Sequence, residues 1–305
     1  RYALARGDRA EAAELWPLVE WCLEYCRRQL TPDGVVASDT DELEGRFPTG
    51  DANLCTSTLY YDALLSAVSL GRELGVESAQ TARYAAQARA LARAIDAHFG
   101  GEVGGYDTYR YYAGNTLLRS WICMPLIVGL KERSEGTVRA LLGPELMTDD
   151  GLLTQQGSST FWDRSTLYAL RGIYNVGQAD RATELLHRYS QRRLLGDHVP
   201  YPIEAWPEGS QRHLSAESGL YCRIITEGLF GIRPTGLRSF DLTPSMPAAW
   251  ESMSLRHIRA FGSDFDITVA RVADGRLRIT VARPGAKPKI YRAAPGATIR
   301  VKLTD

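Results

Sequence analysis

The sequence has neither an excess of charge of one sign nor a long apolar run. Its 305 residues include 36 Lys and Arg against 36 Asp and Glu, so the formal net charge is zero. A balanced charge gives no reason to expect nucleic acid or an anionic membrane as a partner. No segment holds about eighteen uncharged apolar residues in a row, which argues against a membrane span. With 44% apolar residues, the composition is that of a globular protein with a large core or two domains.

Cysteine and histidine are scarce, with five of each. The number of Cys is odd, and Cys22 and Cys26 lie one helical turn apart without a second Cys or His pair to complete a zinc spacing. We therefore expect buried free thiols that act as small apolar side chains. The sequence also has no GxS nucleophile elbow, P-loop, dinucleotide fingerprint or HExxH motif. No metal ion or organic cofactor is predicted.

The chain starts at Arg1, without Met, a signal peptide or a capping residue before the first helical pattern. We therefore expect that an upstream portion of the same protein precedes Arg1. A signal peptide that had been removed would leave no trace, so the N-terminus does not indicate a compartment. The bacterial periplasm and the cytoplasm are equal alternatives.

Apolar residues recur at spacings of three and four over the first three quarters of the chain, which predicts helices. The predicted helices span 10–30, 54–74, 80–99, 117–130, 160–174, 179–194 and 215–230, with a short one at 137–142. The tail alternates apolar and polar residues, as in "FDITVARV" and "RLRITVA", which is typical of half-buried strands. The sequence therefore predicts a helical-hairpin catalytic domain at 1–232 and an antiparallel β domain of five or six strands at 233–305.

The loops between the predicted helices are of two kinds. Some are short and plain, such as "GVES" and "NVGQAD", whereas others are long and rich in aromatic and charged residues. The long loops are 31–53, 100–116, 148–160 and 195–214. Loops on a rigid scaffold usually carry function. Hairpins with one plain end and one decorated end predict a mainly α fold, a toroid whose chemistry collects on one face.

The loop "SDTDELEGRFPTGDANL", residues 38–54, gathers five acidic residues around one Arg. A solvated turn in which Asp51 or Asn53 caps the next helix would explain single acids, and Arg46 could pair with one carboxylate. A solvated turn does not need Phe47 and the proline that follows it, however. Apolar walls would raise the pKa of a carboxyl group so that it holds a proton near neutral pH. The cluster as a whole therefore favours function.

The stretch "GSSTFWDRSTLYAL", residues 157–170, places Trp162, Asp163 and Arg164 at the start of a predicted helix. Trp162 could fill the core, and Asp163 with Arg164 could form a local ion pair. The same three residue types also hold sugars, because an aromatic ring packs on the C–H face and charged groups bind hydroxyls. We favour a substrate-binding role for all three.

The stretch "HVPYPIEAWPEGSQRHLSAESGLY", residues 198–221, supplies a second set of acids. Its candidate residues are Glu204, Trp206, Glu208, His213 and Glu217. Glu217 follows a helix start, where it could simply favour the N-terminal dipole. Glu204 lies between Ile203 and Trp206 in a segment too rich in Pro for a regular helix. An acid among aromatic residues, distant in sequence from another acidic cluster, is what a two-carboxylate mechanism requires.

The stretch "GGYDTYRYYAGN", residues 104–115, adds four Tyr, one Asp and one Arg. Aromatic loops often serve packing alone. Beside the other three stretches, this one indicates a further part of a carbohydrate cleft, with Tyr109 and Arg110 as substrate-binding candidates.

The sequence resembles the six-hairpin glycosidases, among them trehalases, processing α-glucosidases and mannosylglycerate hydrolases. The resemblance is clearest in "TFWDRSTLYALRGIYNVGQADRATELLHRY" and "PYPIEAWPEGSQRHLSAESGLYCRIITEGLFGIRP". The second of these is similar to the loop with the catalytic base, the last barrel helix and the exit into a β domain. The resemblance implies an (α/α)6-type toroid. A complete toroid has twelve helices and this chain supplies about eight, so the toroid would be incomplete and the resemblance implies further hairpins upstream.

The resemblance also implies roles for the acids. "DELEGRFPTGDANL" lies where trehalase-like enzymes carry an acid four residues before an Arg, and here that acid is Glu42 where the pattern has Asp. Glu42 is therefore the expected proton donor, with Asp41 and Glu44 as rivals. Arg46 would bind substrate or adjust the donor.

The expected function is an inverting glycoside hydrolase that acts on a neutral oligosaccharide or glycoside. Glu204 is the expected base, with Glu217 and Glu208 as alternates, while Trp162, Arg164, Tyr109 and Trp206 form sugar-binding walls. A sugar phosphorylase of the same fold is the alternative, with His213 and Arg212 as a phosphate site. A carbohydrate-binding scaffold without catalysis is a further alternative. Polysaccharide lyases and epimerases of this fold depend on Tyr and His, which five His disfavour.

Overall fold

A computed structural model describes residues 1–41, 46–195, 200–206 and 215–304, with the backbone alone for residues 205, 206 and 215. Helices dominate the chain up to residue 229. They are α1 (Tyr2–Arg6), α2 (Arg9–Arg28), α3 (Leu54–Leu74), α4 (Ser78–Phe99), α5 (Met124–Val128), α6 (Ser134–Leu141), α7 (Asp163–Asn175), α8 (Ala179–Arg193) and α9 (Ser215–Arg223). A 3-10 turn at Ser120–Cys123 leads into α5, and a π-helical segment at Ile224–Leu229 continues α9.

Capping residues set the starts and ends of the long helices, which pack as hairpins. The Asp8 carboxylate accepts hydrogen bonds from two backbone N–H groups in the first turn of α2. The Asn53 side chain accepts from the N–H of Thr56 at 2.9 Å and so caps α3. Gly75, at φ 79°, ends α3 in the left-handed conformation that glycine adopts most readily. α4 then packs along α3, and α7 packs against α5 and α8.

The predicted helix over 117–130 is wrong in length. The structure has only the 3-10 turn and the five-residue α5 there, and Arg119 before them is extended. Every residue from Ser120 to Val128 is buried. The apolar run therefore reflects burial on all sides, because a fully buried segment shows no helical period. Gly129, at φ 89°, ends α5.

Within the described part of the chain, three short antiparallel strand pairs lie among the helices. They are β1 (Gly100–Val103) with β2 (Tyr106–Tyr109), β3 (Met147–Thr148) with β4 (Gly151–Leu152), and β5 (Phe161–Trp162) with β6 (Ala205–Trp206). The helix predicted from residue 160 begins instead at Asp163, because the two residues before it pair as β5.

The tail forms two antiparallel sheets. Its strands are β7 (Ile232–Gly236), β8 (Ser239–Leu242), β9 (Ser252–Ala260), β10 (Ser263–Arg271), β11 (Leu277–Ala282), β12 (Lys289–Ala293) and β13 (Ile299–Lys302). The sheet orders are β12-β11-β10-β9 and β13-β8-β7. Phe265, Ile267 and Val269 alternate inward along β10, as the sequence pattern predicted. The described residues of the tail form seven strands rather than five or six, since β7 adds one at "GIRPTG".

One apolar core runs through the helices and both sheets. Phe240 of β8 stacks on Phe261 and Phe265 with ring centroids 5.0 and 5.5 Å apart, which joins the two sheets. β7 packs on α3 and α1. The helical part ends at Leu229 and the strands of the tail begin at Ile232, with continuous packing across this change.

The expectation of buried thiols holds for Cys55 and Cys123, whereas Cys22 and Cys222 are exposed. Among the described residues, no helix is long and apolar enough to cross a membrane. In the same part of the chain, no group of three His, Cys, Asp or Glu side chains could hold a metal ion.

Candidate active site

The acidic loop is attached to a buried tyrosine. The carboxylate of Asp41 accepts a hydrogen bond of 2.6 Å from the Tyr111 hydroxyl. Burial raises the pKa of Tyr111 well above its usual value, and the charges of Cys55 and Asp41 raise it further. The phenol therefore stays protonated and serves as a permanent donor to Asp41. Glu42 and Glu44 lie outside the described residues.

The cap of α3 also fixes the acidic loop. Asn53, which is fully buried, donates from its amide nitrogen to the carbonyl of Thr40 at 3.0 Å while its oxygen caps the helix. The Thr49 hydroxyl donates to the carbonyl of Asp39 at 2.8 Å. Asn53 forms a backbone bridge with Tyr112. The loops 38–53 and 104–115 are therefore joined at the start of α3.

Arg119 lies beneath this junction, and sequence reasoning missed it. Its guanidinium carbon is 4.6 Å from the ring centroid of Tyr111 and 5.2 Å from that of Phe47. The side chain is 1% exposed and donates to the carbonyl of Pro48. Burial lowers the pKa of Arg119. One sequence signal could have identified it, because Arg119 is the one charged residue in the apolar run 117–130.

Trp162 connects the acidic loop to α7. The guanidinium carbons of Arg46 and Arg164 lie 5.3 and 5.6 Å from its ring centroid. The ring has no exposed surface, and of the two cations over it Arg46 is exposed. The ring can therefore position the two cations, and its role in a sugar-binding wall stays a prediction.

Asp163 holds the segment that contains Glu204. One oxygen of its carboxylate accepts a 2.7 Å hydrogen bond from the backbone N–H of Ile203, and the other is 3.0 Å from the Arg193 guanidinium. The side chains of Asp163 and Arg193 are each 2% exposed. Burial raises the pKa of the neighbouring Tyr189 well above its usual value, and the Asp163 charge adds to this. A carboxylate so enclosed can position the chain, and the contact of Asp163 with substrate stays a prediction.

Arg164 holds the start of α9 in the same way. Its guanidinium contacts one oxygen of Glu217 at 2.7 and 2.8 Å. Glu217 is fully buried, and its second oxygen has no hydrogen-bond partner among the residues that the structure describes. Asp163 thus fixes Ile203 within the loop 195–214, and the next residue, Arg164, fixes Glu217 on α9 just after that loop.

Glu204 lies at the edge of this arrangement. It is half-buried and immediately precedes β6, where Ala205 pairs with Trp162 and Trp206 with Phe161. Its neighbour Ile203 is fully buried. Glu204 therefore occupies a fixed backbone position beside the Trp162 cluster while keeping some access to solvent.

Other predicted site residues lie elsewhere or outside the described residues. Tyr109 is 1% exposed within the core, and burial raises its pKa. Arg110 donates to the carbonyl of Gly100 at 3.0 Å, at the end of α4. Neither joins the cluster around Trp162, and their contact with substrate stays a prediction. His213 and Glu208 lie outside the described residues, and for Trp206 the backbone alone is described.

A cavity of about 440 Å³ lies away from these loops. Arg1, Lys131, Glu227 and Arg233 line it near the ends of α5 and α7, beside the tail. It contains none of the acids of the decorated loops. The loops 38–53, 104–115, 157–165 and 200–206, by contrast, are linked by direct contacts through Tyr111, Arg46 and Trp162. We therefore place the candidate active site at these loops.

No protein-family model matches the chain, and no curated protein matches its sequence. Solved structures do match its fold. A sialidase matches with a TM-score of 0.68 at 15% identity, over 97% of this chain and 31% of that chain. A GH78 family rhamnosidase of Bacillus sp. GL1 matches with a TM-score of 0.59 at 15% identity, over 95% and 31%. The α-L-rhamnosidase of Streptomyces avermitilis matches with a TM-score of 0.50 at 14% identity, over 98% and 31%.

These neighbours are glycosidases and include folds of the six-hairpin type, as the sequence resemblance predicted. The chain spans about a third of the length of each of them. At identities of 15% or less, the likeness concerns the fold.

Proposed function

We propose that this protein is a glycoside hydrolase that inverts the anomeric carbon of a neutral oligosaccharide or glycoside. Its helical hairpins would form part of an (α/α)6-type toroid. Glu204 is the general base, and the acid is in the loop 41–44, with Glu42 first and Asp41 and Glu44 as rivals. The main support for the proposal is that long loops rich in aromatic and charged residues, which are far apart in sequence, contact one another around Trp162. The glycosidase fold of its structural neighbours supports it.

The proposed reaction needs two carboxyl groups on opposite faces of the sugar. The acid gives its proton to the glycosidic oxygen as the bond from that oxygen to the anomeric carbon breaks. Glu204 takes a proton from a water whose oxygen attacks that carbon from the other side. The two groups stand roughly 6.5–9.5 Å apart in such enzymes. No metal ion takes part in this scheme.

Glu204 is preferred over Glu217 because a base must reach water. Glu217 has no exposed surface and one of its oxygens is held by Arg164. Glu204 is half-buried and immediately precedes β6. That strand pairs with β5, which ends at Trp162. Glu217 then acts through Arg164 as a positioning residue.

Buried groups hold the acidic loop in place. Tyr111 fixes Asp41, and Arg119 packs between Tyr111 and Phe47. The proposed mechanism requires that one acid of this loop gives a proton while Glu204 accepts one. Exposed Arg46 is placed to bind a sugar hydroxyl beside it.

The test is a screen of neutral oligosaccharides and aryl glycosides with the complete chain, once without phosphate and once with it. The proposal predicts release of free sugar without phosphate, and a loss of that activity in Glu204→Gln. Glu251→Gln, an exposed acid in the tail, is the matched control and should keep full activity. Turnover that requires phosphate and gives a sugar phosphate would identify a phosphorylase. Sugar binding without turnover would identify a binding scaffold.

A further inference from the structure

Arg119 is a buried cation without a carboxylate partner among the residues that the structure describes. One of its nitrogens donates to the carbonyl of Pro48, whereas Nε and Nη2 have no hydrogen-bond partner in the same part of the chain. A buried charge in this state costs free energy, since no ion pair compensates for its removal from water. Any contribution of Arg119 to the site must therefore come from the groups on which it stacks.

The contacts of Arg119 reach both ends of the segment 42–45, which contains two of the acid candidates. At one end, the guanidinium carbon lies 4.6 Å from the ring centroid of Tyr111, whose hydroxyl donates to Asp41. At the other end, the same carbon lies 5.2 Å from the ring centroid of Phe47. Asp41 and Phe47 stand on the two sides of this segment in the sequence. One side chain therefore holds both flanks of the segment.

The backbone of Arg119 belongs to a strip of short extended segments that are paired side by side. Arg119 pairs with Gln155, and Leu153 pairs with Phe161. Phe161 in turn pairs with Trp206. Backbone hydrogen bonds of 2.9, 3.1 and 3.2 Å join the first three segments. In their order across the strip, the segments are 118–120, 153–156, 160–162 and 205–206.

The far end of this strip adjoins the proposed base. Glu204 immediately precedes the segment 205–206. Backbone pairing therefore continues from Arg119, beneath the acidic loop, to the residue next to Glu204. Paired backbone keeps its relative positions better than loops that are free in solvent. An inverting reaction requires such a fixed separation of its acid and its base.

We infer that Arg119 is a positioning residue that fixes the acidic loop relative to Glu204. Its stack with Tyr111 and Phe47 holds the loop, and its backbone ties that stack to the strip. Because Arg119 is only 1% exposed, it acts through these groups and does not touch substrate. The consequence for catalysis rests on the proposed function, whereas the attachment of the loop does not.

Hydrogen exchange of the complete chain tests the attachment without any substrate. We expect Arg119→Met to raise the exchange rates of amides in 38–53 by about tenfold or more, since the loop loses its anchor, while the amides of β10 keep their rates. Arg171→Met is the matched control. Arg171 is also buried and lies over a tyrosine ring, 5.4 Å from the centroid of Tyr168, but its ion pair is with Glu227. This variant should leave exchange in 38–53 unchanged.

Kinetics on two glycosides of the sugar released in the screen above test the consequence for catalysis. An alkyl leaving group needs a proton from the acid, whereas a dinitrophenolate leaves without one. Arg119→Met should therefore lose roughly 10- to 10²-fold in kcat on the alkyl glycoside, because a small displacement of a catalytic group has effects of that size. It should lose much less on the dinitrophenyl glycoside, with KM little changed. Arg171→Met should show no such difference between the two substrates.

Tyr111→Phe is a milder second variant, since it removes one oxygen and keeps the ring beside Arg119. It should also raise exchange in 38–53 and show the same dependence on the leaving group. Its combination with Arg119→Met should cause little further loss, because both changes act on the same attachment.

The outcomes separate this inference from the proposed function. Exchange in 38–53 that is unchanged in both Arg119→Met and Tyr111→Phe, or that rises equally in β10, would overturn the attachment. Equal losses of kcat on the two glycosides would overturn the link to the proton donor. A natural protein that hydrolyses no glycoside, with the exchange result as expected, would contradict the proposed function and leave the attachment supported.

Discussion

Two consecutive side chains at the start of α7 organise the candidate active site. Asp163 binds the backbone before Glu204, and Arg164 binds Glu217 on α9. The sequence analysis identified both residues but predicted that they contact substrate. The residue types alone do not distinguish these roles, since a carboxylate and a guanidinium bind sugar hydroxyls and protein groups equally well.

Removal of Asp163 should destabilise the protein strongly. In Asp163→Ala the buried Arg193 loses the Asp163 carboxylate and keeps its hydrogen bond to the carbonyl of Asp150, so the free energy of unfolding should fall by about 3–5 kcal/mol. Urea unfolding monitored by circular dichroism measures it. Asp163→Ala combined with Arg193→Met removes both charges and should recover part of the loss. A loss below about 1 kcal/mol in the single variant would contradict a structural role for this pair.

At the scale of elements, the cap of α3 joins the fold to the site. Asn53 closes the first turn of the helix and holds the acidic loop through the carbonyl of Thr40. The sequence predicted a cap from Asp51 or Asn53, and the structure confirms Asn53. The hydrogen bond to Thr40 could not be predicted, because it depends on how the loop returns to the helix.

Replacement of Asn53 should test its two roles, the cap of α3 and the attachment of the acidic loop. Asn53→Ala removes the cap and the loop contact, so we expect a loss of about 1–2 kcal/mol in the free energy of unfolding. Asn53→Asp keeps an oxygen for the Thr56 N–H but removes the donor to Thr40. Because it also places a buried carboxylate oxygen against the Thr40 carbonyl, it should lose at least as much stability as Asn53→Ala. Equal stability of all three proteins in chemical denaturation would show that the cap contributes nothing.

The elements that were predicted well are those with a clear period. The long helices α2, α3, α4 and α8 and the strands β10 and β11 follow their apolar patterns. The segment 117–130 and the pair β5–β6 did not, because total burial removes the period of the first and two-residue strands are too short to have one. Helix α7 begins three residues later than predicted because the short strand β5 precedes it.

At the scale of the whole molecule, a network of ion pairs ties the helices to the tail. Glu227 contacts Arg223, Arg171 and Arg1, the closest contact being 2.6 Å to Arg223. Asp62 of α3 contacts Arg1 at 2.8 Å and Arg233 of β7 at 3.1 Å. Burial alone would raise the pKa of Glu227, but the charges of Arg171, Arg223 and Arg1 outweigh it and hold the pKa below its usual value.

This network should contribute stability that depends on pH. A carboxyl group whose pKa is lower in the folded state stabilises it fully above the unfolded pKa. That stability is lost as the pH falls through the folded pKa, so it should decline below about pH 4. Glu227→Gln should show a shallower decline in the free energy of unfolding between neutral and acidic pH. The idea fails if the variant and the natural protein have parallel profiles.

The whole architecture was more predictable than the site. Composition and periodicity predicted helices followed by antiparallel strands, and "GIRPTG" marked the change. The contacts that assemble the site join residues far apart in sequence, such as Asp41 with Tyr111 and Arg46 with Trp162. Such contacts have no local signal, and Arg119 was missed for the same reason.

The central claim is that Glu204 activates water in an inverting hydrolysis, and the reaction of Glu204→Gln with azide tests it most directly. Kinetics would be followed on an aryl glycoside, with the configuration of the product determined by NMR. We expect turnover in water to fall by roughly 10² or more, since general base catalysis contributes about that much. Azide should then restore turnover and give a glycosyl azide of inverted configuration. Full activity of Glu204→Gln, a larger loss in Glu217→Gln, or an azide product of retained configuration would contradict the claim.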